Sequence, residues 1–116
     1  MIDYTNYTDS ELRQLAVAGD TAAEEELIER YAKLVRICAR PYFLAGGDSE
    51  DLTQEGMLGL LSAIRNYDES GGASFRTFAE ICIRNRVLEA VKAASRKKHE
   101  PLNDGGSLEY IILSEE

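Results

Sequence analysis

The sequence has few of the residues on which metal centres and disulfide frameworks depend. Its 116 residues include one histidine, two cysteines and two prolines. Cys38 and Cys82 stand far apart, within helical patterns and without a CxxC partner, which indicates buried thiols in a reducing compartment. His99 stands among arginines and lysines with no Cys or His at ligand spacing. Neither a metal nor another cofactor is therefore expected.

Long apolar runs and catalytic motifs are also missing. Nothing approaches the roughly 18 apolar residues of a membrane span, and the start, Met1-Ile-Asp-Tyr, lacks the regions of a signal peptide. A cytoplasmic protein is therefore expected. The glycine pairs lack the GxxxxGK[ST] context of a phosphate loop. Asp51 and Glu55 share a predicted helix face, but no His or Lys stands where a partner acid or base belongs, so no enzyme activity is predicted.

What is present is a single small domain with an uneven distribution of charge. Residues 1–70 hold 14 acids and 6 bases, residues 71–99 hold 2 acids and 7 bases, and the remainder holds 5 acids and no base. The net charge of −8 disfavours nucleic acid, yet the local field decides where phosphate binds. The basic stretch is therefore compatible with a nucleic-acid contact or with a solvated helix face.

Apolar periodicity predicts an all-α fold of about four helices within residues 1–100. A capping box at Thr8–Glu11 opens the first helix, and Gly19 ends it. Asp20 caps the second helix, and Pro41 ends or bends it. The predicted buried positions of the second helix are Ala23, Leu27, Tyr31, Leu34, Ile37 and Cys38.

The third helix is predicted to begin at a Ser49 cap and the fourth at a Ser74 cap, running to about Lys98. The inner face of the third helix comprises Leu52, Gly56, Gly59, Leu60, Ala63 and Ile64. Two glycines inside a helix cost about 1 kcal/mol each, which predicts a close approach by another backbone. Residues 101–116 are polar and acidic, and we expect a C-terminal extension or linker there.

The fourth helix carries two stripes. Its core stripe is Ala79, Ile83, Val87, Ala90 and Ala94. Its second stripe is Phe78, Ile81, Asn85, Leu88 and Lys92. Two readings of the second stripe stay open. Either Phe78 and Ile81 also belong to the core, or Phe78 stacks on an unpaired base while nearby basic residues hold phosphates.

These motifs together resemble the sigma-70 class of bacterial RNA polymerase initiation factors, in their second conserved region and most closely the sporulation sigma-H type. From Asp51 to Pro101 the chain contains, in order, Asp51-Leu-x-Gln-Glu-Gly, Gly59-Leu, Ala63-Ile, Phe75-x-x-Phe-Ala, Ile83-Arg and Lys98-His-x-Pro-Leu. Several motifs in a fixed order are more specific than any one of them alone.

The resemblance implies a compact, sigma region 2-like helical bundle that binds core RNA polymerase at its clamp coiled coil. It further implies recognition and opening of the promoter −10 element through the non-template strand, with an anti-sigma factor as another candidate partner. Matching polymerase-binding positions are Asp51, Gln54, Glu55, Met57 and Leu61. Candidate DNA-binding residues are Tyr67, Arg76, Phe78, Ile81, Arg84, Asn85, Leu88, Lys92 and Arg96, with Tyr67 and Phe78 at the positions that cradle a flipped base.

Two departures from the family pattern bear on function. Principal members carry a tryptophan pair where this chain has Ile81-Cys82, and the chain has no tryptophan. This favours a specialised factor with a stricter promoter requirement. A complete factor also needs a C-terminal helix-turn-helix domain for the −35 element, so we expect a fragment of a longer factor or a stand-alone remnant. The alternative is a truncated regulator that uses the fold for polymerase contact only, without opening DNA.

Overall fold

The computed structural model describes residues 3–45 and 49–99, and this part of the chain folds into four α-helices. They are α1 (Asp9–Val17), α2 (Thr21–Ala39), α3 (Ser49–Asn66) and α4 (Phe75–His99), with 3-10 turns at Arg40–Ala45 and Glu69–Gly71. The predicted all-α bundle is confirmed. The predicted extension at 101–116 lies outside the described residues, so a boundary near residue 100 stays a prediction.

Local capping chemistry sets where the helices begin. The Thr8 hydroxyl accepts from the Glu11 amide at 3.1 Å, and the Glu11 carboxylate accepts from the Thr8 amide at 2.9 Å, which completes the predicted capping box. Asp20 caps α2 through its carboxylate, and the Ser74 hydroxyl accepts from the Thr77 amide at 3.1 Å ahead of α4. Three of the four helix starts therefore follow from short-range hydrogen bonds that the sequence already indicates.

The core lies where α2 and the α3–α4 pair meet, with α1 packed across them. In α2 the buried stripe advances by four residues, from Leu27 through Tyr31 to Val35. Val35 is therefore fully buried, whereas Ile37, which the sequence pattern placed in the core, is 45% exposed. In α4 the buried positions are likewise four residues apart, so Val91 is completely buried, whereas Ala90 is only half-buried.

Helices α3 and α4 make the most extensive helix pairing, and a glycine allows their close approach. A Cβ added at Gly59 would lie 2.7 Å from the Cys82 carbonyl oxygen and 3.0 Å from the Ile83 Cα. Both are backbone atoms of α4, and so the two backbones touch at this position. The predicted close approach is confirmed here.

The N-terminal segment is fastened to α2 by Arg30. Its guanidinium donates to the Tyr4 carbonyl at 2.8 Å and forms ion pairs with Asp9 at 3.2 Å and Glu26 at 3.0 Å. Tyr31 adds a hydrogen bond to the other oxygen of Asp9. Because Arg30 satisfies a carbonyl and two carboxylates together, the start of α1 is held in one place against α2.

Candidate functional site

An aromatic cluster forms at the loop between α3 and α4. The ring centroid of Tyr67 lies 5.6 Å from that of Phe78 at an interplanar angle of 47°, and 5.5 Å from Phe75 in an edge-on arrangement. The Tyr67 hydroxyl donates to the Ala73 carbonyl at 2.5 Å, and the guanidinium carbon of Arg13 lies over the Tyr67 ring, 5.4 Å from its centroid. The loop therefore brings together the two rings, Tyr67 and Phe78, that the sequence pattern singled out.

The second stripe of α4 runs away from this cluster along the outside of the helix. Ile81 is 51% exposed, so the reading that placed it in the core is wrong for this residue. Phe78 is half-buried and packs against the core while part of its ring stays accessible. The remaining members are exposed Asn85, half-buried Leu88 and exposed Lys92. Arg96, one turn beyond Lys92, is also exposed. The stripe thus offers apolar and cationic groups to a partner.

Arg76 and Arg84 lie on a different side of α4 from Phe78. Arg76 is two residues from Phe78, which is about 200° around an α-helix. Burial raises the pKa of Tyr31 and Cys38 on α2, and the positive charge of Arg76 opposes a small part of that rise. Arg84 donates to Glu80 at 2.9 Å and 3.2 Å, and this bond raises the pKa of Arg84. Both arginines are exposed, and neither lies on the face of α4 that carries Phe78.

The outward face of α3 has a ridge that sequence reasoning described only in part. Asp51 and Gln54 are exposed, and Leu61 is half-buried. Leu58, which the sequence analysis missed, is 44% exposed between them. The positions advance by three, four and three residues, as expected for one stripe of a helix. That spacing was the signal that would have found Leu58. We call these four residues, Asp51, Gln54, Leu58 and Leu61, the α3 ridge.

Met57 and Glu55, the other two predicted polymerase contacts, lie at the edges of the α3 ridge. Met57 is half-buried and packs against the core. Glu55 accepts from the Arg86 guanidinium at 2.8 Å, with side-chain exposures of 37% and 48% respectively. Arg86, another residue that the sequence analysis did not single out, therefore links α3 directly to α4.

The two cysteines, Cys38 and Cys82, lie within α2 and α4. Cys38 and Cys82 are free, and burial raises the pKa of both thiols. Across residues 3–45 and 49–99, no group of three or more His, Cys, Asp or Glu side chains is placed to hold a metal ion. Within the same ranges, no helix combines the length and apolar character needed to cross a bilayer.

Comparison with known proteins identifies the family to which this chain belongs. Residues 27–97 match the family described as Sigma-70 region 2. The chain belongs to the sigma-70 region 2 family. It is 44% identical over 108 residues to the RNA polymerase sigma-H factor of Bacillus subtilis (strain 168), covering 93% of this chain and 50% of that protein. The sigma-H factor of Bacillus licheniformis is also 44% identical, with coverages of 93% and 48%.

Another member shows the same resemblance over a shorter segment. The RNA polymerase sigma-B factor of Bacillus anthracis is 49% identical over 93 residues, covering 78% of this chain and 36% of that protein. The chain spans about half the length of the sigma-H relatives that it matches. Within the sigma-70 family it is sigma-H-like, and the family match includes α3 and most of α2 and α4 but leaves out α1.

Proposed function

We propose that this domain binds core RNA polymerase through the α3 ridge and recognises and opens the promoter −10 element through α4. It acts by binding and not by catalysis, alongside the polymerase in the cytoplasm. The observation that carries the proposal is the meeting of Tyr67 and Phe78, 5.6 Å between centroids, where the exposed stripe of α4 begins. Membership of the sigma-70 region 2 family supports it, as do relatives named for RNA polymerase.

The aromatic pair fits the energetic need of promoter opening. Extruding a paired base costs a few kcal/mol of stacking and pairing. Stacking of that base on an aromatic side chain returns about 1–3 kcal/mol. Phe78 keeps part of its ring accessible while packing against Tyr67, so the receiving surface exists before DNA arrives. Exposed Lys92 and Arg96, further along α4, supply the phosphate contacts that a strand leaving this pair would need.

The α3 ridge fits a protein partner with cationic groups. Leu58 and Leu61 form its apolar centre and Asp51 its acidic edge. An apolar anchor with a charged rim is the usual arrangement of an interface whose centre dominates affinity. Glu55, Gln54 and Met57 belong to the same proposed contact surface.

The proposal is tested by mixing the full chain with core RNA polymerase and with single-stranded DNA that has a randomised −10 segment. We expect the chain to co-elute with the polymerase and to select a preferred strand sequence. Phe78→Ala should keep the co-elution and lose the preference, because it removes the stacking face without touching the α3 ridge. A wild-type chain that does not co-elute, or a Phe78→Ala chain that selects the same sequence, contradicts the proposal.

A second candidate, polymerase contact without promoter opening, is favoured by the carboxylate partners of two arginines. Glu80 forms an ion pair with Arg84, and Glu55 forms one with Arg86, so a carboxylate already balances the charge of each guanidinium that could attract phosphate. In the same experiment this candidate predicts co-elution of the wild-type chain with polymerase and no strand preference at all. The strand selection therefore separates the two functions.

A further inference from the structure

Helix α1 lies before the segment matched by the family, yet it contacts the loop that carries Tyr67. The Arg13 Nε donates to the carbonyl of Ile64, near the end of α3, at 2.8 Å. The Ser10 hydroxyl and the Gln14 amide donate to Glu69, just after Tyr67, at 2.8 Å and 3.3 Å. Successive turns of α1 therefore fasten the chain on both sides of Tyr67.

Arg13 is the central member of this contact. Its side chain is only 14% exposed, and its guanidinium carbon lies 5.4 Å from the centroid of the Tyr67 ring. A second guanidinium nitrogen is 4.0 Å from Glu69. A planar guanidinium donates in several directions while stacking on an aromatic face, which a lysine does not reproduce. Arg13 thus contacts the carbonyl, the ring and the carboxylate at the same time.

These contacts leave the Tyr67 ring little freedom. Its hydroxyl is bound to the Ala73 carbonyl, Phe75 meets it edge-on, and Arg13 covers one face. A receiving surface that is already ordered binds more tightly, because no rotamer freedom is lost when the ligand arrives. We propose that Arg13 is a positioning residue for Tyr67, and that α1 thereby belongs to the base-receiving site. This inference rests on the proposed function of the Tyr67–Phe78 pair.

A purely structural role for Arg13 is the competing explanation. Helix α1 also contributes fully buried Leu12 to the core, so losing its anchor would reduce stability. Reduced stability, however, lowers every kind of binding by the same factor. A positioning role lowers only the part of strand affinity that depends on the received base. The ratio of affinities for a strand with and without that base separates the two roles.

The experiment uses the full chain in complex with core RNA polymerase. The strand sequence preferred by the wild type is remade with an abasic site at one position at a time. The position with the largest wild-type loss defines the base-dependent ratio, expected at roughly 5- to 150-fold from the strength of aromatic stacking. Arg13→Met keeps an unbranched apolar stem that reaches about as far as the arginine Nε, but it removes the charge and the donors. It should lower this ratio at least about fivefold, the scale of a partly buried cation–π contact.

Arg36→Met is the matched control, since it removes the same charge from an exposed position of α2. It should leave the ratio at the wild-type value. Arg13→Gln is the second variant and covers the case in which Arg13→Met does not fold. Its amide can still donate to the Ile64 carbonyl, but no cation covers the ring, so the ratio should fall as in Arg13→Met.

The outcomes distinguish this inference from the proposed function. A wild-type ratio well above one, with the same ratio in a folded Arg13→Met or Arg13→Gln chain, overturns the positioning role and leaves the proposed function intact. A wild-type ratio of one at every position overturns the proposed function, and the positioning role falls with it. A lowered ratio in the Arg13 variants with unchanged polymerase affinity supports the inference.

Discussion

At the scale of single residues, the hydrogen bond between Tyr4 and Asp20 makes stability depend on pH. The Tyr4 hydroxyl donates to the Asp20 carboxylate at 2.5 Å, and the Ala23 amide donates to its other oxygen at 3.1 Å. The Tyr4 bond first, and then the amide, lower the pKa of Asp20 below its ordinary value of 3.8. The same bond raises the pKa of Tyr4 from 10.0 to about 12.

The direction in which each group changes stability with pH follows from proton linkage. Asp20 stabilises the fold at pH values above 3.8, and this contribution is lost as the pH falls through its lower folded-state pKa. Tyr4 stabilises the fold below pH 10.0, and its contribution is lost as the pH rises towards about 12. We therefore expect Asp20→Asn to lose less stability than the wild type on acidification from about pH 5 to 2.

Denaturant unfolding followed by circular dichroism at several pH values measures this difference. Asparagine still caps a helix, so the variant should remain folded at neutral pH. Glu29→Gln is the control, because it removes an exposed carboxylate from the middle of α2, the helix that Asp20 caps. Its stability should change with pH as that of the wild type does. Identical acid profiles for Asp20→Asn and the wild type would show that Asp20 has no lowered pKa.

At the scale of helices, Gly59 limits how closely α3 and α4 pack. Gly59→Ala would place a methyl group 2.7 Å from the Cys82 carbonyl, and a backbone atom cannot rotate away. We expect the free energy of unfolding to fall by about 1–3 kcal/mol from overpacking, offset by up to about 1 kcal/mol of helix propensity. Gly71→Ala, where nothing lies within 4 Å, is the control and should stay within about 0.5 kcal/mol of the wild type. Thermal unfolding compares them, and a higher melting temperature for Gly59→Ala, which helix propensity alone would produce, would contradict the close contact.

The α3 ridge gives a second prediction at this scale. Leu58→Ala should weaken binding to core polymerase by about 2 kcal/mol, or roughly 30-fold, as expected for an apolar anchor at the centre of an interface. Because Leu58 is 44% exposed, the helical spectrum should not change. Ile37→Ala removes a similar side chain, 45% exposed on α2, and should bind polymerase like the wild type. Titration of labelled chain against core polymerase measures both, and equal affinities would place the contact elsewhere.

These helices also show which parts of the fold were predictable from sequence. The capping residues Thr8, Asp20 and Ser74 act within three or four positions of themselves, so their effect can be inferred locally. The burial of Val35 in place of Ile37 depends on how α2 is rotated against α3 and α4. A step of three and a step of four both satisfy an apolar pattern, and only the tertiary neighbours choose between them.

In the candidate site, too, some features were predictable from the sequence and others were not. The family motifs located Tyr67 and Phe78, and the short loop between α3 and α4 explains why they meet. Arg13 acts on the carbonyl of Ile64, 51 positions further along the chain, and no periodicity indicates such a contact. The pairing of Arg84 with Glu80 follows an i, i+4 spacing that the sequence shows. The pairing of Arg86 with Glu55 joins two helices, and neither helical spacing nor a count of charges by segment indicates it.

At the scale of the whole molecule, the acidic charge opposes the basic helix. The chain carries a net −8, while residues 71–99 hold 7 bases against 2 acids. Surface charges act over about 8 Å at physiological ionic strength and over longer distances in dilute salt. The isolated chain should therefore bind duplex DNA poorly, even though α4 presents exposed Lys92 and Arg96. Under the proposed function, the polymerase supplies part of the attraction that the free domain lacks.

The C-terminal acids allow the opposition between the acidic charge and the basic helix to be tested. Residues 104–116 contain Asp104, Glu109, Glu115 and Glu116 and no base. Deleting them should raise the affinity of the chain for duplex DNA in dilute salt, and the gain should shrink as salt is added because screening removes the repulsion. A chain of full length with these four acids changed to Asn or Gln is the control, and it should gain as much as the deletion. Fluorescence anisotropy across a salt series measures all three chains. If the deletion gains affinity and the neutralised chain does not, the segment hinders DNA by its bulk and not by its charge.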